Sequence, residues 1–212
     1  MFLTLHIDQY SLADPHQSAY RVNHSCELTL LSIQDTVLRA ADRGEVTAIV
    51  LLDLSCAFDT VDHEILLQRL SHIGVRDDAL SWFRIYLSDR EQSVLVDEAK
   101  SKPHPLICGV PQGSVLGPVL FSIYIWPLAH IIQQHSINYK FYADDIQLYL
   151  SFPSQNASLA ISQLEHCIVD IHCWLSQNVL RLNSAKSEII LLGTRQQLSK
   201  CPTSPCLSMV SP

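Results

Sequence analysis

With 212 residues, 48% hydrophobic and only 17% charged, the chain can bury a sizeable core and is too apolar to be disordered over most of its length. Its 14 Lys and Arg face 21 Asp and Glu, a net charge of −7, which excludes a chain that grips nucleic acid by bulk electrostatics. The seven cysteines are odd in number and lack a CxxC pair, so they read as reduced, mostly buried thiols rather than a disulfide framework.

Residues 1–24 carry Pro15 and no sustained period, and read as irregular. Ser25 caps a helix over residues 26–43, with Leu28, Leu31, Val37, Leu38 and Ala41 as its apolar side and Gly44 at its end. Residues 47–54 form a near-continuous apolar, β-branched run, the pattern of a buried central strand. Asp53 sits near the end of that strand, where a carboxylate is costly unless paired, hydrogen-bonded or metal-bound. Asp62 opens a helix that Gly74 closes, and residues 77–87 form another. Residues 92–96 and 105–108 read as two strands joined by a charged loop.

Three of the six glycines fall within residues 109–118, marking backbone that needs close approach or unusual dihedrals. A helix over 119–133 follows, kinked or interrupted at Pro127. The apolar run 115–132 is too broken by Gly117, Pro118, Pro127 and His130 for a membrane span. Residues 138–152 are two aromatic and aliphatic runs around Asp144-Asp145, a hairpin with a carboxylate pair at its tip. An ordinary Asx turn between solvated strands would also fit. Residues 158–177 are an amphipathic helix with Leu159, Ile161, Leu164, Ile168, Ile171, Trp174 and Leu175 inward. Its His166-Cys167 and His172-Cys173 pairs lack zinc spacing and read as packing. Residues 178–187 form a polar turn, 188–192 a short strand, and 194–212 a poorly ordered tail.

The alternation of helices with strands and one antiparallel hairpin predicts an α+β sheet with helices on one face. If the first strand lies beside the hairpin, Asp53 and Asp144 meet, concentrating charge that hard cations such as Mg²⁺ or Mn²⁺ neutralise. Two such ions about 4 Å apart suit in-line phosphoryl transfer.

Four blocks, in order, carry a family resemblance: residues 52–63 around Asp53, 109–118 around Gln112, the Tyr142-Ala143-Asp144-Asp145 tip, and 182–188 around Lys186. They resemble polymerase palm motifs A to D of the reverse transcriptases of non-LTR (LINE-type, jockey/CR1-like) retrotransposons. His16-Gln17-Ser18-Ala19-Tyr20-Arg21, with His24-Ser25, is similar to the segment upstream of motif A. The resemblance implies a palm with part of the fingers over residues 1–193. It implies a polymerase joining dNTPs to a DNA primer 3′-hydroxyl on an RNA template with two Mg²⁺. Asp53 and Asp144 would bind the metals, with Asp145 as weaker ligand or support, and Leu54 could lend a backbone carbonyl. Phe58 stands at the sugar-gate position, Gln112 and Gly113 would line the nucleotide pocket, and Lys186 would protonate the leaving pyrophosphate. Asp59, Asp62 and His63 read as caps and turn partners, and Arg21 as either a nucleic-acid contact or a local partner.

The chain departs from the family at Ile146 in place of Thr, Trp126-Pro127 in place of Asn-Asp, and Ser187 in place of Thr. The early fingers motifs, a thumb and an endonuclease domain have no counterpart here, so a truncated fragment is expected, with missing parts supplied by another chain or not at all. The alternative function is a catalytically inactive retroelement remnant that at most binds nucleic acid or protein. Residence in nucleus or cytoplasm stays open, and no basic cluster reads as an import signal.

Overall fold

The computed structural model describes residues 2–201. In chain order its elements are α1 (Phe2–Gln9), α2 (Cys26–Asp42), β1 (Glu45–Leu52), α3 (His63–His72), α4 (Asp77–Leu87), β2 (Arg90–Gln92), β3 (Leu95–Val96), β4 (Ala99–Lys100) and β5 (His104–Leu106). There follow α5 (Gly117–Ile125), α6 (Leu128–Gln134), β6 (Asn138–Tyr142), β7 (Asp145–Pro153), α7 (Ala157–Gln177), β8 (Glu188–Leu192) and α8 (Arg195–Leu198). Two compact units emerge, Met1–Leu12 with Cys56–Tyr124, and Ala13–Ser55 with Ile125–Pro212. The α+β class expected from the pattern holds.

The second unit is built on a four-stranded sheet of order β6-β7-β1-β8, antiparallel throughout. β1 is central because its side chains are apolar on alternate positions and small or branched between them. Val46, Ala48 and Val50 are fully buried and Leu52 nearly so; burying each valine contributes on the order of 1.5–3 kcal/mol. Thr47 is buried too, its hydroxyl bonded to that of Ser151 across the β1–β7 pair at 2.9 Å. Helices α2 and α7 pack against β7, and α6 against α7.

Ser25 caps α2 through its hydroxyl, which accepts from Leu28 N–H, and Gly44 leaves the helix at φ +79°. The buried side of α2 is not the leucine side. Thr29, Ile33 and Ala40 face inward, while Leu28, Leu31 and Leu38 are exposed. Apolar residues occur all round this helix, so its period admits two stripes. The one with smaller residues is buried. In α7 the expected inward set holds for Leu164, Ile168, Ile171 and Leu175 but fails for Leu159, which is exposed; Ala157, Ala160 and Cys167 fill that side instead. The expected polar turn before β8 buries Leu180, Leu182 and Ser187. The expected tail begins with a capped turn, α8, in which Thr194 and Gln197 form a capping box. Residues 202–212 lie outside the described residues.

The first unit begins with α1, a helix where irregular chain was expected. Its i, i+4 pair Leu3 and Ile7 is buried, and His6 Nε2 lies 2.7 Å from the Ile73 carbonyl. Asp62 caps α3 by accepting from Ile65 N–H at 2.9 Å, and Gly74 ends it at φ +92°. α4 falls at the expected residues. The two expected strands at 92–96 and 105–108 are instead two short ladders, β2 with β5 and β3 with β4. Val94 N–H donates to the Ser101 hydroxyl at the junction between them. α5 starts at Gly117, two residues before the expected start, and the break at Trp126-Pro127 separates it from α6. Leu120, Phe121, Ile123 and Tyr124 are all buried, as befits a helix with no polar face.

Among the described residues six cysteines are free. Cys167 and Cys201 are buried, but Cys26, Cys56 and Cys173 are exposed, against the expectation of mostly buried thiols. No helix among the described residues is long and apolar enough to cross a membrane.

Candidate active site

Strand register assembles the carboxylates. β1 pairs with β7 so that Leu52 stands opposite Ile146, which leaves Asp53 one residue past the end of β1 and beside the β6–β7 turn. That turn has two central residues, Ala143 and Asp144, between the pair Tyr142 and Asp145. The Asp145 carboxyl titrates above the ordinary carboxylate range, first through desolvation, then through repulsion by Asp144 and by Asp53. The three carboxylates therefore share one field. Their hard oxygens fit Mg²⁺ or Mn²⁺ in chemistry and charge. Among the described residues no group of three or more His, Cys, Asp or Glu is already arranged to hold a metal ion.

Asp53 is held from the segment between α7 and β8. Asn183 Nδ2 donates to Asp53 Oδ2 at 3.0 Å, and Asn183 N–H donates to the Asp53 carbonyl at 2.8 Å. Asp53 N–H reaches the Ser187 hydroxyl at 3.4 Å, and that hydroxyl donates to the Asn183 carbonyl at 2.9 Å. Leu54 forms an antiparallel bridge with Leu182 and is buried. Lys186 is largely exposed, its Nζ 3.9 Å from Asp53 Oδ2, a loose surface pair worth little by itself.

The carboxylate turn is held from the other side by residues 16–21. Gln17 makes a parallel bridge with Phe141, Phe141 N–H donates to the His16 carbonyl at 2.9 Å, and Ser18 N–H donates to the Phe141 carbonyl at 3.0 Å. Arg21 turns back on this loop, donating to the carbonyls of Asp14 and Gln17. Of the two uses left open for it, the structure displays the local one. The Tyr20 phenol, on a residue more than half exposed, is pushed upward by partial desolvation, then by Asp144 and by Tyr142.

In the first unit the segment after Asp53 is stitched to the glycine-rich loop. Gly109 N–H donates to the Val61 carbonyl at 2.8 Å and Val110 N–H to the Phe58 carbonyl at 2.9 Å. The Gly109 carbonyl receives Arg90 Nη1 at 2.6 Å and lies 2.9 Å from His63 Nε2. Gly109 has φ +83°, and a Cβ there would sit 2.8 Å from the Asp59 carbonyl oxygen. Close approach and an unusual dihedral thus coincide at one glycine. Gln112 is exposed and donates to Asp59 Oδ1 at 2.7 Å; Gly113 has φ +75° and open space where a Cβ would point. The half-buried ring of Phe58 stacks on Phe121 at 4.7 Å. Asp62 and His63 serve as cap and loop partner, as expected.

Sequence reasoning missed the roles of Asn183 and Gln17. Both lie inside blocks that carried the resemblance, and each acts on a partner more than a hundred residues away.

Residues 2–206 match the family described as reverse transcriptase (RNA-dependent DNA polymerase). The chain is 30% identical over 183 residues to a probable RNA-directed DNA polymerase from transposon BS of Drosophila melanogaster, a match covering 81% of this chain and 19% of the relative. It is 28% identical over 191 residues to the RNA-directed DNA polymerase from mobile element jockey of the same organism, covering 88% and 20%. The chain thus spans about a fifth of the length of these curated relatives. Among solved structures it is similar to telomerase from Candida albicans in complex with a fragment of telomeric RNA, with TM-score 0.65 and 16% identity over 89% of this chain and 33% of that one. Apo telomerase from Candida tropicalis is similar at TM-score 0.62 and 13% identity, over 89% and 36%. These likenesses agree with the palm fold, and the sequence relatives agree with the non-LTR resemblance.

Proposed function

The chain belongs to the reverse transcriptase (RNA-dependent DNA polymerase) family, and on that premise we propose that it carries a polymerase site for adding dNTPs to a DNA primer on an RNA template. The observation that carries this reading is the β1–β7 register, which sets Asp53 beside the Asp144-Asp145 turn. Asp53 and Asp144 are the residues that would hold two Mg²⁺ ions, with Asp145 supporting them. Bound there, the ions would supply charge neutralisation for the attacking and leaving oxygens.

The chain's own residues do the rest. Asn183 and Ser187 keep Asp53 oriented. Leu54 offers its backbone carbonyl at the same corner. The primer 3′-hydroxyl gives up its proton to solvent as its oxygen bonds to the α-phosphorus and the bond to the pyrophosphate oxygen breaks, and Lys186 gives that leaving oxygen a proton. Phe58 excludes a ribose 2′-hydroxyl. Gln112 and Gly113, in the first unit, would line the nucleotide pocket as the resemblance implies.

A second reading, a remnant that binds without catalysis, is favoured by one observation, the net charge of −7. A polymerase needs cationic grip on its template, and the net charge of these 212 residues does not provide it. Primer extension on an RNA template with Mg²⁺ or Mn²⁺ separates the readings, with Asp144→Asn alongside. Incorporation that vanishes in the variant supports the polymerase. A folded wild type that binds RNA but incorporates nothing, with or without metal, supports the remnant.

A further inference from the structure

The turn that carries Asp144 has an energetic defect. Ala143, the first of its two central residues, sits at φ +57°, a conformation that hairpin turns usually give to glycine. A residue with a Cβ holds such a backbone only where its surroundings over-determine it. Ala143 is buried, so its N–H cannot look to bulk water for a partner.

The partner comes from 126 residues upstream. Gln17 Oε1 accepts from Ala143 N–H at 3.3 Å and from Ala19 N–H at 3.0 Å. The Gln17 side chain is 1% exposed, and its Nε2 finds no hydrogen-bond partner among the described residues. A buried amide with a doubly used oxygen and an unused nitrogen contributes through its oxygen, since the idle donor costs stability. The backbone around it is pinned as well, by the Gln17–Phe141 bridge and the two flanking hydrogen bonds to Phe141. The Gln17 backbone therefore cannot drift from the turn without breaking the edge of the sheet.

We propose that Gln17 is a positioning residue for the polymerase site: its amide oxygen holds Ala143 in the left-handed conformation and so fixes the direction in which the next residue, Asp144, presents its carboxylate. This rests on the reading of Asp144 as a metal ligand given above. It also gives the block at residues 16–21 a role, as a brace beneath the aspartate turn.

The test uses the full chain and Mn²⁺ alone, titrated by electron paramagnetic resonance of the free ion, with fold checked by circular dichroism. Gln17→Met keeps the side-chain length and removes the acceptor, and is expected to weaken Mn²⁺ binding about tenfold, the effect of one lost hydrogen bond. Adding Ala143→Gly is expected to restore binding to near the wild-type level, because glycine holds a positive φ without a brace. Loss of core packing at position 17 would not be repaired by a glycine in the turn. Binding unchanged in Gln17→Met, or a double variant as weak as the single one, overturns the proposal. Should Gln17→Met fail to fold, hydrogen exchange at the Ala143 amide of the wild type decides: strong protection supports the brace, and exchange at the rate of open chain overturns it. A folded wild type that binds no Mn²⁺ sinks the metal reading of Asp144, and the Ala143 amide then still reports on the brace by itself.

Discussion

Asn183 grips Asp53 twice, side chain to carboxylate and backbone to backbone, and so helps to register the segment between α7 and β8 against the end of β1. The backbone bond survives any substitution except proline. The side-chain bond reaches a half-buried carboxylate, and a hydrogen bond to a charged group contributes about 1.5–3 kcal/mol when well buried. Partial exposure of Asp53 reduces that here. Asn183→Ala is expected to cost about 1 kcal/mol in urea unfolding, with a clear fall in Mn²⁺ affinity. Asn183→Asp is expected to be worse on both counts, because it puts a like charge on Asp53. A variant with Asp at 183 that binds metal more tightly than Ala at 183 would mean the position acts as a ligand rather than a support.

Asp145 makes stability depend on pH in a definite direction. Its carboxyl is raised above the ordinary value of about 3.9 by desolvation, Asp144 and Asp53. The folded state therefore holds this proton more tightly than the unfolded chain does. The stabilisation from protonation is complete below the unfolded value and is lost as pH rises through the folded one. Urea midpoints across that window are expected to fall with rising pH in the wild type and to fall less in Asp145→Asn. Saturating Mg²⁺ should stabilise the wild type above the window, by binding the folded state alone, and leave Asp144→Asn nearly unmoved. Equal pH slopes in wild type and Asp145→Asn would count against the shared field.

The two positive-φ glycines of the loop at residues 109–118 offer a controlled pair. Both would strain an alanine by about 1–2 kcal/mol through φ alone. At Gly109 the added methyl also meets the Asp59 backbone at 2.8 Å, whereas at Gly113 it meets nothing within 4 Å. Gly109→Ala is thus expected to lose roughly 2–4 kcal/mol of stability, the sum of strain and overpacking, and Gly113→Ala only the strain. If Gly113 lines the nucleotide pocket, its variant should lose dNTP binding out of proportion to its small loss of stability. Thermal melts beside a dNTP titration separate the two effects.

The hairpin, β1 and the helices α3, α4 and α7 were legible because each has a single dominant apolar stripe or run, so one periodicity has one solution. The face of α2 was not, since leucines at 28, 31 and 38 made the wrong stripe look more apolar than the buried set Thr29, Ile33 and Ala40. Helix α1 was hidden because eight residues with one buried pair give too short a window for a period. At the site, the meeting of Asp53 with the Asp144-Asp145 turn was legible, because an apolar run ending in one carboxylate and a hairpin tipped by two pair as neighbouring strands. The amides that hold them were not. Gln17 acts on Ala143 and Asn183 on Asp53 across more than a hundred residues each, and no local pattern encodes a contact at that separation.

Phe58 tests whether a core ring can also be a gate. Its stack on Phe121 at 4.7 Å is a packing role that any large apolar side chain would partly fill, and such a ring pair contributes about 0.5–1.5 kcal/mol beyond burial. Its proposed second role is steric, a clash with a ribose 2′-hydroxyl. The roles respond differently to size. Phe58→Leu preserves most of the packing volume, and Phe58→Val removes more of the bulk needed for the clash. Stability should therefore decline modestly from Phe to Leu to Val. Discrimination between dNTP and rNTP, measured as the ratio of their kcat/KM values, should collapse at Val by at least about tenfold, the scale at which pocket shape separates substrates differing by one small group. A gate predicts that the variant gains rNTP use while keeping dNTP use. Parallel losses for both nucleotides, tracking the loss of stability, would leave Phe58 as a core residue and nothing more.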